Sequence, residues 1–361
     1  MAIQTAADSI TSNQGSPFGF KNRIINGGMA IDQRNAGASV TPTAGTYMVD
    51  RFQLDISQSS KYTFQRNGGA VTPPNGFRNY LGMTVATGYS ITSSDYFQLM
   101  HKIEGYNTAD LMWGTSNAKT VTLSFWVYSN LIGTFGGAIR NNDVTRSYPF
   151  TFSTTASNTW TYISITIPGD TTGTWETGTS IGIQIAWGLG NGSNYTGPAF
   201  AWAGTNYQSA TGTTSIVATT GNTFYLTGVQ LEAGSQSTAF DYRDYGRELI
   251  MCQRYLPCLN SLSTNDPISL AYIPATTIVR CDIPFKVTPR VPPTGISVSS
   301  ASHVTWDTGA ASGTASAVAF TNASSQTGRV ALSVTGATIG QSVVVAFNSA
   351  SGQILFTGCE L

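Results

Sequence analysis

One uncharged stretch of the sequence, residues 187–212, combines aromatic side chains with Gly, Asn, Ser and Thr. Sugar rings present flat C–H faces that pack on aromatic planes, and amide and hydroxyl groups can bond to sugar hydroxyls. A long loop that carries both kinds of group is therefore a candidate glycan-binding site. Its candidate residues are Trp187, Tyr195, Trp202 and Tyr207.

These aromatic residues also have a structural interpretation, in which they fill the end of a β-sandwich or a contact between subunits. For Trp187, which ends an apolar strand, the sequence favours burial, whereas for the other three both interpretations stay open. A second candidate site is the polar tip at residues 141–148, which follows Arg140 and contains Arg146.

Charged residues also occur within two apolar strands, at Asp50 and Arg51 and again at Asp241 and Arg243. Aspartates in such positions can serve as calcium ligands. Buried charges are more often paired with each other. We therefore expect Asp50, Arg51, Asp241 and Arg243 to form a structural ion pair that ties the first strand to the last, and we expect no metal site.

The sequence contains few groups that could form a catalytic site. Its two histidines, His101 and His303, lie far apart and no nucleophile motif is near either of them, which argues against a catalytic triad or a zinc site. Glu104, near His101, belongs to no cluster of acids. The paired carboxylates of a polysaccharide hydrolase leave no sequence signature. We expect no enzyme activity, no catalytic residue and no cofactor.

Composition excludes further classes of protein. The 18 basic and 18 acidic residues cancel, so no basic surface is expected that would bind nucleic acid. The first 20 residues lack the pattern of a signal peptide, and no apolar run reaches the roughly 20 residues of a membrane span. The 4 cysteines match no metal-ligand spacing, and we expect buried free thiols, with a disulfide as the alternative.

Short β-strands are the elements that must position these residues. Many runs between residues 47 and 231 alternate apolar and polar residues and are separated by turn clusters, as at Val121, Leu123, Phe125 and Val127. No amphipathic helix separates them that could connect parallel strands. The pattern predicts an all-β protein with an antiparallel sandwich of jelly-roll type.

A chain of 361 residues is too long for a single ordinary core. One helix is predicted at residues 244–257, with Asp244 as its N-cap and Pro257 at its end. The predicted order is an N-terminal anchor segment (residues 1–20), a jelly-roll β-sandwich (21–243), the connecting helix and a smaller C-terminal β-sandwich (258–361).

Some short blocks of the sequence also match a known pattern. They read NRIINGGMAIDQR from Asn22, YMVDRF from Tyr47 and GVQLEAGSQSTAFDYRDYGRELIMCQRYL from Gly228. In this order they resemble bacteriophage tail-fibre and virion-appendage proteins that carry a jelly-roll domain like a carbohydrate-binding module. The resemblance implies a place on the virion, a homotrimer, and attachment to other virion proteins through residues 1–20.

We therefore expect a virion structural protein, a fibre or spike-like appendage that is anchored through its N-terminal end and binds host surface polysaccharide. One alternative is a structural adaptor or capsid-decorating protein that binds no glycan. Another is a polysaccharide depolymerase, which would need two carboxylates facing a groove. No nucleic acid and no membrane insertion are expected among its partners.

Overall fold

The computed structural model describes residues 21–361, so the predicted anchor at residues 1–20 lies outside the described residues. The chain divides into two compact units, of which the first runs to Tyr245 and also includes Leu361, and the second covers Gly246–Glu360. Within the described residues, no helix is both long enough and apolar enough to cross a membrane.

Two antiparallel sheets form the first unit, whose strands are numbered in chain order. From one edge to the other, the six-stranded sheet contains β1 (Tyr47–Val49), β2 (Phe52–Ile56), β5 (Tyr96–Glu104), β10 (Ile181–Asn191), β7 (Gly133–Arg140) and β8 (Ser147–Thr154). The five-stranded sheet contains, also from edge to edge, β3 (Tyr62–Arg66), β4 (Leu81–Val85), β13 (Thr223–Ala233), β6 (Val121–Tyr128) and β9 (Thr161–Ile167). A short parallel pair, β11 (Thr196–Gly197) and β12 (Ser209–Ala210), follows β10.

The two sheets pack face to face, because alternate residues of each strand are apolar and point to one side. Phe125 on β6 and Trp187 on β10 meet across the core with ring centroids 5.7 Å apart. Phe135 on β7 and Phe224 on β13 meet at 6.4 Å. The chain crosses repeatedly from one sheet to the other, which is the jelly-roll arrangement, so the predicted fold class is confirmed.

The helix α1 (Tyr245–Gln253) is shorter than the predicted span of residues 244–257. Its buried residues include Glu248 and Cys252, and the backbone N–H of Leu256 still bonds to the Cys252 carbonyl at 3.0 Å beyond the last helical residue. Pro257 follows, and its ring prevents a further helical turn.

The second unit has its own pair of sheets and its own core. From edge to edge, the seven-stranded sheet contains β19 (Ser312–Thr314), β18 (Val304–Asp307), β22 (Ser342–Phe347), β15 (Asp266–Ala275), β16 (Ile278–Pro284), β21 (Thr327–Ser333) and β20 (Ala317–Ala323). The three-stranded sheet contains β14 (Cys258–Asn260), β23 (Gln353–Thr357) and β17 (Gly295–Val298). Val279, Trp306, Leu332 and Phe356 lie in the core of this unit.

Short 3-10 turns connect several of the strands. They occur at Gly68–Ala70, Gly105–Asn107, Ala109–Leu111, Ser193–Tyr195, Ile216–Ala218 and Ala301–His303.

Candidate functional site

The outward face of the six-stranded sheet carries a groove in the first unit. On β2, Phe52, Leu54 and Ile56 point into the core, so Gln53 and Asp55 between them point outward. The groove has a volume of about 420 Å³, which is within the usual range for ligand pockets. Its lining residues come from several strands and loops: Gly45, Gln53, Asp55, Tyr96, Met100, Lys102, Arg140, Val144, Ile181, Gln184, Tyr195, Asn206 and Gln208.

One wall of the groove is the stretch after β10 that the sequence singled out. The backbone N–H of Gln208 bonds to the Tyr195 carbonyl at 2.8 Å, which closes this stretch on itself. Asn191, at the end of β10, donates from Nδ2 to Oε1 of Gln208 at 3.0 Å. Ser147 on β8 and Ala203 exchange two backbone hydrogen bonds, at 3.0 and 2.8 Å. The wall is therefore fastened to the sheet on both sides.

Two tyrosines form an aromatic surface in the groove. Tyr96 opens β5, and Tyr195 ends the 3-10 turn after β10. Their rings meet edge to face with centroids 5.2 Å apart, and both side chains are half-buried. Burial, then the Asp55 carboxylate and Tyr195, raise the pKa of Tyr96, so its hydroxyl stays protonated at neutral pH and can donate a hydrogen bond.

A row of polar side chains continues from the tyrosines across the floor. Gln98 donates from Nε2 to Asp55 Oδ2 at 2.7 Å, and its Oε1 accepts from Arg140 Nη2 at 3.2 Å. Arg140 Nη1 donates to Asn206 Oδ1 at 2.9 Å, which ties the floor to the wall. Burial lowers the pKa of Arg140 to about 10, which leaves its guanidinium charged at neutral pH. Gln98 itself is fully buried, so this row of hydrogen bonds fixes the lining residues Asp55, Arg140 and Asn206 next to the aromatic rings.

Of the four predicted glycan-binding residues, only Tyr195 lines the groove. Trp187 is 0 % exposed, and its indole packs between Phe52 and Phe125 in the core of the sandwich. A ligand cannot reach that ring, so the assignment of Trp187 as a glycan-binding candidate was wrong. The reason is that Trp187 lies within β10 on the same face as the inward residues Ile185 and Leu189, because side chains alternate along a strand.

Trp202 lies outside the groove lining, in a cluster of three tryptophans. Its ring meets those of Trp113 and Trp175 edge to face at 5.4 and 5.6 Å, and its Nε1 donates to the Pro168 carbonyl at 2.9 Å. This cluster adjoins a separate cavity of about 230 Å³ lined by Trp113 and Trp175. Trp202 therefore joins loops at the end of the sandwich.

Tyr207 also lies away from the groove lining, and its half-buried ring covers Gly197 on β11. A Cβ atom at Gly197 would come within 2.3 Å of that ring, so only glycine fits beneath it.

In the second candidate region, residues 141–148, Arg146 forms a bidentate pair with Asp170 at 2.7 and 2.8 Å. Arg140, which precedes that region, is in the groove floor.

The embedded charges form structural contacts in the first unit. Both carboxylate oxygens of Asp50 accept from Gln33, at 2.6 Å from its backbone N–H and 2.7 Å from Nε2, and Arg34 lies 4.0 Å away. The guanidinium of Arg51 donates to the Lys102 carbonyl at 2.6 Å. These contacts hold the segment before β1 against the six-stranded sheet.

Asp241 and Arg243 connect the end of the unit to its beginning. They lie 3.7 Å apart, and Arg243 also donates to the carbonyls of Asn22 and Ile24. Asn22 in turn donates from Nδ2 to the Val229 carbonyl at 3.1 Å. The blocks that carry the sequence resemblance therefore meet in one hydrogen-bonded junction, and their residues do not line the groove.

No group of three or more His, Cys, Asp or Glu side chains is placed to hold a metal ion in the part of the chain that the structure describes. The groove residues that the sequence interpretation missed are polar residues at outward positions of β2, β5 and β10, above all Gln53, Asp55, Lys102 and Gln184. Their alternation with apolar residues was visible in each strand, but it does not show which strands become neighbours.

Comparison with known proteins gave no matching family model and no matching curated sequence. Among solved structures, the chain is similar to the enzymatically active domain of tailspike protein 4 of bacteriophage CBA120, at 12% identity and a TM-score of 0.32, over 59% of this chain and 21% of that one. The chain thus spans about a fifth of that tailspike chain.

It is also similar to a family 61 carbohydrate-binding module in complex with β-1,4-galactotriose, at 9% identity and a TM-score of 0.30, over 59% of this chain and 99% of that one. A family 11 carbohydrate-binding module of a Clostridium thermocellum cellulase gives 13% identity and a TM-score of 0.29, over 56% and 98% of the two chains. Similarity at this level adds nothing to the strand order, so the jelly-roll assignment is based on the sheets themselves.

Proposed function

We propose that the first unit is a carbohydrate-binding domain and that the groove on its six-stranded sheet holds a glycan chain. The observation that carries this proposal is the Tyr96–Tyr195 pair beside a row of amide side chains in one open groove. Aromatic rings bind the C–H faces of sugars, and amides donate to and accept from sugar hydroxyls. The groove brings both kinds of group together.

A glycan array probed with the purified full-length chain tests this proposal. Wild-type protein is expected to bind a subset of glycans, and a Tyr96→Ala/Tyr195→Ala double variant is expected to lose that binding while it keeps its circular dichroism spectrum. A Tyr162→Ala variant is the control, because Tyr162 is 42% exposed on β9 of the other sheet. If wild type binds no glycan, the structural adaptor becomes the better function.

We propose binding without cleavage. A glycoside hydrolase uses two carboxyl groups separated by about 5–10 Å. Among the described residues that line the groove, Asp55 is the one that carries a carboxylate. Incubation of the bound polysaccharide with the protein should therefore release no new reducing ends. Release of oligosaccharides by wild type, and its loss on Asp55→Asn, would support the depolymerase instead.

At the level of the whole protein, we propose a homotrimeric fibre or spike-like appendage of a phage virion that attaches to the host surface. The support for this proposal is the sequence resemblance of the blocks that begin at Asn22, Tyr47 and Gly228. Many copies on one particle would make a weak site effective, because linked sites convert later binding steps into intramolecular ones. Light scattering should give the mass of three chains for the purified protein, and an antibody to the chain should label purified virions.

A further inference from the structure

Arg140 presents a buried positive charge to the groove without an ion-pair partner among the described residues. Its side chain is 2% exposed, and its hydrogen bonds go to Oδ1 of Asn206, Oε1 of Gln98 and Sδ of Met100. These three acceptors are uncharged, and Nε has no hydrogen-bond partner. A charged group in this state costs stability unless something compensates for its lost hydration.

The carboxylate in the groove compensates for this charge only indirectly. Asp55 Oδ2 accepts from Gln98 Nε2 at 2.7 Å, and Gln98 stands between Asp55 and the guanidinium. Lys102 also lines the groove, and its ammonium already has a partner, since Nζ donates to the main-chain oxygen of Leu361 at 3.0 Å. The groove therefore carries two cationic side chains and one carboxylate, although the whole chain has a formal net charge of +0.

The wall of the groove also contacts the Arg140 guanidinium. Asn206, which borders the groove, accepts from Arg140 Nη1 at 2.9 Å, so the position of the charge is fixed before any ligand arrives. A preorganised cation that is largely buried attracts an anion more strongly than a mobile surface lysine does, because the anion need not reorder it. The missing counter-charge would then come with the ligand.

We propose that the groove takes an acidic glycan, with a negatively charged sugar unit seated at the Arg140 side, between the floor and Asn206. This inference rests on the proposed glycan-binding function of the groove. The neutral units of the same chain would lie toward Tyr96 and Tyr195, where aromatic rings replace charges. The anionic group is a carboxylate or a sulfate, since either supplies the counter-charge.

The test is an array that carries neutral glycans beside uronic-acid, sialylated and sulfated ones, probed with wild type and with Arg140→Gln. Wild type is expected to bind acidic glycans, and Arg140→Gln to weaken that binding about tenfold or more. Carboxylated and sulfated arms of the array distinguish the two anions. Wild-type binding to neutral glycans alone would overturn the inference and leave the proposed function intact, whereas binding to none would overturn both.

Two further variants separate a charge effect from a folding effect. Arg140→Lys keeps the charge and should keep the preference for acidic glycans, even where its affinity is lower. Lys119→Gln removes one positive charge at an exposed position outside the groove lining and should leave glycan binding unchanged.

Binding of the preferred acidic glycan should weaken with added sodium chloride, and less steeply in Arg140→Gln. Equal salt dependence in wild type and Arg140→Gln would overturn the inference.

Discussion

The Tyr96 ring on β5 meets the Tyr195 ring from the stretch after β10 edge to face, at a centroid distance of 5.2 Å. One ring belongs to the floor of the groove and the other to its wall. The contact therefore holds the stretch in place and at the same time forms the aromatic surface that we propose as the sugar-binding surface.

Replacement of either tyrosine by alanine should weaken glycan binding. We expect about a tenfold loss of affinity for each single variant, or about 1.4 kcal/mol, because each removes part of the surface that packs on sugar. Isothermal titration calorimetry with the best glycan from the array measures this change. An unchanged affinity in both single variants would place the site elsewhere, most simply at the cavity lined by Trp113 and Trp175.

Trp202→Ala should reduce stability and leave affinity nearly unchanged. The substitution removes the Nε1 hydrogen bond to Pro168 and the ring contacts with Trp113 and Trp175. We expect a loss of about 2 kcal/mol in the free energy of unfolding, measured by urea denaturation. Phe200→Ala is the matched control on the same stretch, since Phe200 is 54% exposed and its loss should cost less than about 0.5 kcal/mol. A large affinity loss in folded Trp202→Ala would restore Trp202 as a ligand contact.

His101 should make the protein less stable in mild acid. Burial and then the Arg51 cation lower the pKa of His101 to about 3, and its Nε2 lies 3.1 Å from the Ile25 carbonyl. In the unfolded chain its pKa is about 6.5. Between these values the unfolded state binds more protons, so this contribution to stability is complete above pH ~6.5 and declines as the pH falls, by up to about 1.4 kcal/mol per pH unit.

His101→Gln provides the comparison, because glutamine can still donate to the Ile25 carbonyl but does not titrate. Urea unfolding of both proteins at about pH 7.5 and 5.5 gives the two differences in free energy. Contributions from carboxylates such as Asp95 are common to both proteins and cancel. Wild type should lose more stability than the variant, and equal losses would contradict the assigned cause.

The cysteines should be unreactive in the folded protein. All four are buried and none forms a disulfide, and burial raises the pKa of Cys281 to about 11 and that of Cys359 to about 12. Because the thiolate is the reactive form, a disulfide reagent at pH 8 should titrate less than about one thiol per chain within minutes. Denaturant should expose the full count of 4. Fewer thiols in denaturant without reductant would reveal the disulfide that the sequence left open.

Much of the fold could be predicted because its signals are local. The alternation of Val121, Leu123, Phe125 and Val127 matches the period of a strand, and all four side chains are buried on β6. The helix signal near residue 245 likewise depends on neighbouring residues. The predicted jelly-roll class followed from the repetition of such strands without helices between them.

The candidate binding site depended on information that no single stretch contains. Composition drew attention to residues 187–212, where Tyr195 does line the groove, but composition could not separate Tyr195 from Trp202 and Tyr207, which lie outside the groove lining. The groove floor arises because Met100 on β5 pairs with Gln53 on one side and with Ala186 on the other.

The sequence by itself determined that the chain forms antiparallel strands, one helical segment and one aromatic, uncharged stretch, because side-chain period and composition are properties of neighbouring residues. Only the tertiary structure decided which strands lie side by side, and so which polar side chains share a groove with Arg140. Register between distant strands is set by the packing of the whole core, where a shift by one residue would turn every inward side chain outward.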